Sequence, residues 1–175
     1  MINSRKIFLT GERDVGKTTI ITKFLKETKL NVGGFNTVIG GLSLDEECDY
    51  VYIIPYGEEL DVNQSKPVAS RAINVHNITT FPEIFDTEGK RILSESKDTE
   101  LIIMDELGFM ESEALEFQQE VLSFLDSNLP VLGVIKPKKN VFLDSVRDHD
   151  AVEIIEVTED NRNEICSTLQ KIFLE

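Results

Sequence analysis

Gly11-Glu12-Arg13-Asp14-Val15-Gly16-Lys17-Thr18 decides the fold, because this glycine-framed stretch stands between a strand pattern and a helix pattern. The apolar run Lys6-Ile7-Phe8-Leu9-Thr10 precedes it, and Ile20, Ile21, Phe24 and Leu25 follow at helical spacing. Strand, turn and helix in that order make a phosphate-binding P-loop. Glycines let the backbone close around phosphate oxygens, so consecutive N–H groups and the positive end of the helix meet the anion. Nucleotide binding is therefore expected at Gly11, Glu12, Arg13, Asp14, Val15, Gly16, Lys17, Thr18 and Thr19. Lys17 would reach the terminal phosphates as a catalytic residue, and the Thr18 hydroxyl would help coordinate a magnesium ion that bridges them.

Far downstream, Glu100-Leu101-Ile102-Ile103-Met104 reads as a buried strand ending in Asp105-Glu106. Paired carboxylates at the C-terminal end of such a strand lie where open α/β sheets bind ligands. Asp105 is the expected second metal ligand, and Glu106 the expected catalytic carboxylate that polarises a water for attack on the terminal phosphoryl group.

The run Asp105-Glu106-Leu107-Gly108-Phe109-Met110-Glu111 resembles the D-E-[IL]-G-x-M-E signature of a small P-loop nucleoside-triphosphatase family, which includes thermophile nucleotide phosphatases and the human cancer-related nucleoside-triphosphatase. Gly33-Gly34-Phe35-Asn36-Thr37 is similar to its G-G-F-x-T segment, Val131–Ile135 to its next core strand, and Val157–Glu164 to its V-T-x-x-N-R-x-x run. These pieces fall in the family's order, whereas residues 45–98 match poorly. The resemblance implies slow magnesium-dependent hydrolysis of ATP and other nucleoside triphosphates with loose base selectivity. Phe109 departs from it, since that position is often basic, and the basic residues expected after Ile135 are represented only by Lys136, Lys138 and Lys139.

The chain has 175 residues and 41% hydrophobic content, which suits one P-loop domain over 1–175 with a β-rich insert at about 31–80. Its 18 basic against 32 acidic residues, a net charge of −14, argue against a nucleic-acid surface. Cys48 and Cys166, like His76 and His149, are too scattered for a metal cluster. No run has membrane-spanning length, and Met1-Ile2-Asn3-Ser4-Arg5 leads directly into a core strand, so a cytoplasmic monomer is expected. An activating protein partner stays open.

The element pattern predicts strand 6–10, helix 17–28, strands around Tyr50–Ile54 and Arg71–Val75, and a helix near 82–96. Strand 100–105, helix 111–127, strand 131–135, strand 152–157 and a final helix capped by Thr158 follow. Ala114, Leu115, Gln118 as the one polar exception, Val121, Leu122 and Leu125 would form one core stripe with Phe117 and Phe124, and residues 136–150 read as a mixed-charge surface loop in preference to a lid. The fold class is α/β, a three-layer P-loop sandwich of the RecA-like catalytic-glutamate type: a mainly parallel sheet, helices on both faces, added antiparallel strands. Gly33, Gly34, Phe35 and Thr37 either border the nucleotide or form a β-turn, and Arg13, Arg147 and Arg162 are the candidates for a catalytic guanidinium. Two alternatives to hydrolysis remain: a kinase that passes the ATP γ-phosphoryl group to a small acceptor, and an ATP-binding switch.

Overall fold

The computed structural model describes residues 3–40, 48–72 and 77–175. Among the described residues, eight strands form one sheet in the order β5-β4-β3-β2-β6-β7-β1-β8. β1 (Lys6–Thr10), β2 (Val32–Gly40), β6 (Leu101–Leu107), β7 (Val131–Ile135) and β8 (Val152–Glu156) run parallel. β3 (Cys48–Pro55), β4 (Pro67–Ala72) and β5 (Ile78–Thr80) extend the β2 edge in antiparallel fashion. β7 lies between the P-loop strand β1 and the carboxylate-bearing β6, as the RecA-like reading requires. The last three residues of the expected strand Arg71–Val75, with His76, fall outside the described residues.

Alternation within each strand splits the core in two, because successive side chains point to opposite faces. Ile7, Leu9, Leu101, Ile103, Leu132 and Val134 pack against α1 (Lys17–Thr28) and α6 (Arg162–Leu174). Phe8, Phe35, Ile53, Ile102, Met104 and Val131 pack against the other layer. That layer comprises α2 (Pro82–Ile84), a π-helical turn Phe85–Gly89, α3 (Lys90–Glu95), α4 (Leu115–Asp126) and α5 (Val141–Arg147). Both faces are covered, so a parallel sheet is stable here.

Four expectations need correction. α4 begins at Leu115, not at 111, because Glu111–Ala114 form turns held by side chains, and Leu115 is left 63% exposed while Phe117, Val121, Phe124 and Leu125 are buried. α6 begins at Arg162, with Thr158 and Asn161 instead exchanging hydrogen bonds across the preceding turn. Residues 136–150 are not merely a surface loop: the Asn140 side chain accepts from the Leu143 N–H and starts α5, whose Phe142, Leu143 and Val146 are buried. Gly33 and Gly34 lie within β2 and form no β-turn. A Cβ on Gly34 would stand 1.9 Å from the Ile103 carbonyl oxygen, and one on Gly33 would stand 2.6 Å from Ser96 Cβ, so these glycines let β2 approach β6 and the end of α3.

The wing formed by β2, β3 and β4 rises past the C-terminal end of β6. Asn36 pairs with Asp105, yet β2 continues to Gly40, four residues on, which is roughly 13 Å at about 3.3 Å per residue. Asp49 on β3 pairs with Arg71 on β4, which pairs with Ile78 on β5. This row lies beyond the level at which Tyr50 pairs with Gly40.

Candidate active site

β1 delivers the chain into the loop at Gly11, whose φ of 133° and close approach to Val157 exclude a side chain: a Cβ there would lie 2.4 Å from the Val157 carbonyl oxygen. Val15 turns inward onto the core beside Ile20 and Ile21 and anchors the loop. Gly16 caps α1 with no side-chain hydrogen bond, and the first intrahelical bond of the helix runs from Ile20 N to Gly16 O. The Lys17, Thr18 and Thr19 amides are therefore free of helical partners and carry the positive end of the helix dipole. Lys17 Nζ donates to the carbonyls of Gly11 at 2.9 Å and Glu12 at 2.6 Å, which holds the ammonium over the loop.

A cavity of about 810 Å³ opens at this end of the sheet and is lined by Gly11, Arg13, Asp14, Gly16, Lys17, Thr18 and Thr19 from the P-loop side. Asp105, Glu106, Phe109 and Met110 line it from β6 and the loop that follows, and Lys136 and Lys138 from the loop after β7. The two sequence signals, 87 residues apart at Thr18 and Asp105, thus converge. Glu12 is exposed beside the cavity, and Val15 lies beneath it.

The two carboxylates differ as their environments do. Asp105 is 7% exposed, and burial raises its pKa to about 6, against the opposing pull of the Thr18 hydroxyl and the Lys17 ammonium. Glu106 occupies a bulge, since β6 and β7 pair Asp105 with Val134 and then Leu107 with Ile135. It is thereby turned out of the ladder, and Lys136 Nζ holds its carboxylate at 2.9 Å. Lys136 and Lys138 also flank the Phe109 ring, at 5.6 and 4.7 Å from its centroid. Two lysines thus stand against the aromatic side chain at position 109.

Behind these groups, Glu111 is fully buried and accepts from the Gly108 N–H at 2.5 Å. Burial raises its pKa to about 7, although the Gly108 amide and Lys136 favour its charged form. Arg147 does not line the cavity: it pairs with Asp144 at 3.0 Å and donates to the carbonyls of Lys136 and Lys138, which fixes the lysine loop. Arg162 does not line the cavity, whereas Arg13 does, beside Asp14 at 3.6 Å. Of the glycine-rich segment, Asn36 and Thr37 line the cavity, Phe35 is core, and Gly33 and Gly34 serve strand packing.

Asn36, Asp49 and Arg71 were not assigned roles from sequence. Asp49 and Arg71 pair at 2.6 Å across two strands of the insert, a non-local contact with no short-range signature. A second cavity, of about 600 Å³, lies at the opposite end of the sheet around Lys6, whose ammonium donates to the carbonyls of Ser4, Ser127 and Leu129. The Lys6 ammonium is thus satisfied by main-chain carbonyls, and His149 Nε2 pairs with Asp126 at 3.1 Å.

Among the described residues, no helix is long and apolar enough to cross a membrane. A family model described as NTPase matches residues 6–170. The nucleoside-triphosphatase THEP1 of Thermotoga maritima is 29% identical over 174 residues, covering 96% of this chain and 95% of that protein. The protein of the same name from Thermotoga petrophila is 31% identical over 167 residues, covering 94% and 90%. In fold, the chain is similar to the crystal structure of THEP1 from Aquifex aeolicus, with a TM-score of 0.75 at 24% identity over 97% of this chain and 99% of the other. The solution structure of a human cancer-related nucleoside triphosphatase gives 0.67 at 23% identity, over 95% and 96%. The match spans the P-loop, the Asp105-Glu106 strand and the final helix alike, and this chain belongs to the NTPase family of nucleoside-triphosphatases.

Proposed function

We propose that the chain hydrolyses nucleoside 5'-triphosphates to the diphosphate and phosphate with magnesium as cofactor. The observation that carries this reading is the convergence of Lys17, Thr18, Asp105 and Glu106 on one cavity. The P-loop amides, with Arg13 and Lys17, hold the phosphate chain. Thr18 and Asp105 are the groups that would hold magnesium. Two protein oxygens suit this ion, which keeps waters and substrate phosphates as its other ligands. Asn36 fits as well: its Oδ1 is buried with no partner among the described residues and lies on the residue paired with Asp105, where it can accept from a metal-bound water. The ion, when bound, neutralises charge on the phosphates.

Glu106 orients the attacking water and takes its proton, held in place by Lys136. Lys17 and Lys136 face the charge that develops on the transferred group and the leaving diphosphate. Glu111 keeps the turn at Gly108 in place, and with it the end of β6 that carries Glu106.

Phosphate release from ATP, GTP, CTP and UTP, with and without magnesium, tests the reading. Release should require magnesium, show little preference among the bases, and disappear in Lys17→Ala. Equal release in magnesium and in chelator would refute the metal assignment.

A further inference from the structure

The cavity continues past the hydrolytic carboxylate onto the wing, where Thr37, Val38, Ile39, Asp49, Val51, Arg71 and Ile78 line it. In-line displacement places the nucleophile opposite the leaving diphosphate. With the diphosphate on the loop after β1, the nucleophile lies on the side of Glu106 and, farther on, of β2, β3 and β4. The wing is therefore the nucleophile's side of the γ-phosphoryl group. At about 810 Å³ the cavity stands in the upper part of the roughly 300–1,000 Å³ range of small-molecule sites.

Its chemistry is also specific. Among the described residues, five basic side chains line the cavity against four acidic ones, in a chain with 18 basic and 32 acidic residues, so an anionic ligand is favoured locally. At the far end, Asp49 and Arg71 are each about two-thirds buried and present carboxylate oxygens and guanidinium N–H groups side by side, in one cross-strand row with Ile78. Adjacent acceptors and donors over an apolar floor of Val51 and Ile78 match the edge and face of a nucleobase. At the near end, Lys136 and Lys138 suit a phosphate.

We propose that the wing binds a nucleoside monophosphate as phosphoryl acceptor, with its base at Asp49 and Arg71 and its phosphate beside Lys136. This rests on the P-loop reading above and adds a second activity to it. An oxygen of the acceptor phosphate forms a bond to the γ-phosphorus, and the bond from that phosphorus to the β,γ-bridging oxygen breaks. The electron pair leaves on the β-phosphate of the nucleoside diphosphate product, and the acceptor becomes a second diphosphate. Any proton on the attacking oxygen passes to Glu106. Water in the acceptor's place gives hydrolysis.

The test supplies ATP labelled at the γ-phosphate, with magnesium and AMP, GMP, CMP or UMP in turn, to wild type, Arg71→Ala and the near-isosteric Asp49→Asn. At least one monophosphate should become a labelled diphosphate. Both variants should raise the acceptor KM at least tenfold while acceptor-free phosphate release stays within twofold of wild type. Intact phosphate release with no labelled diphosphate from any of the four would overturn the acceptor site and leave the hydrolase reading standing. So would a tenfold rise in the ATP KM of both variants without acceptor, since the wing would then hold the triphosphate's own base. Failure of the wild type to bind ATP would sink both readings.

Discussion

Replacing Glu111 by Gln isolates the buried carboxyl beneath the site. Burial raises its pKa from 4.5 to about 7, so the folded state holds a proton that the unfolded chain gives up at lower pH. The stability contribution of a raised carboxyl is fully present below 4.5 and is lost as pH rises through 7. The full difference amounts to about 3 kcal/mol, and roughly 2 to 3 kcal/mol of it falls between pH 5 and 8. Asp105 adds a smaller loss of the same sign over this window, because it is raised from 3.8 to about 6. Gln cannot ionise, yet its amide oxygen can still accept from the Gly108 N–H. Urea unfolding in chelator at pH 5, 6, 7 and 8 should therefore show wild type losing about 2 to 3 kcal/mol more than Glu111→Gln across the range. The variant should keep the residual slope owed to Asp105. Parallel stability curves for the two proteins would refute the buried, proton-holding role of Glu111.

Two further substitutions probe the scaffold away from the cavity. Lys6→Met removes the donor that Ser127 and Leu129 carbonyls share at 2.9 and 2.7 Å, and should cost about 1 to 3 kcal/mol in urea unfolding without altering nucleotide affinity. Gly133→Ala would put a Cβ 2.4 Å from Phe8 Cε1 and 3.0 Å from the Met104 carbonyl oxygen, so a loss of about 1 to 3 kcal/mol is expected. Phe8→Leu combined with it should cost less than the two losses added, because the shorter side chain relieves the same overlap; strict additivity would mean that Phe8 is not the obstacle.

The parts of the fold legible in the sequence are those in which local pattern and burial agree. β1, α1 and β7 fall where the apolar runs place them, and the P-loop lies between β1 and α1. Misreadings arose where side chains compete with the backbone for hydrogen bonds. Gln118 Nε2 donates to the Glu111 and Ser112 carbonyls, which stabilises turns where the period suggested helix, and Thr158 and Asn161 delay α6 in a similar way. α5 was missed because the charges of residues 136–150 masked the spacing of Phe142, Leu143 and Val146 behind Asn140. At the site, Lys17, Thr18, Asp105 and Glu106 carried local signals. Asp49, Arg71 and the Lys136–Glu106 pair carried none, since each arises from strands brought together only by the folded sheet.

Glu106→Gln in magnesium, with phosphate release and nucleotide affinity measured on the same sample, is the decisive experiment. The proposed mechanism predicts a Kd within about threefold of wild type and a fall in turnover of about 10²- to 10⁴-fold, the range for loss of a general base. Unchanged turnover with unchanged binding would contradict it and remove Glu106 from the chemistry.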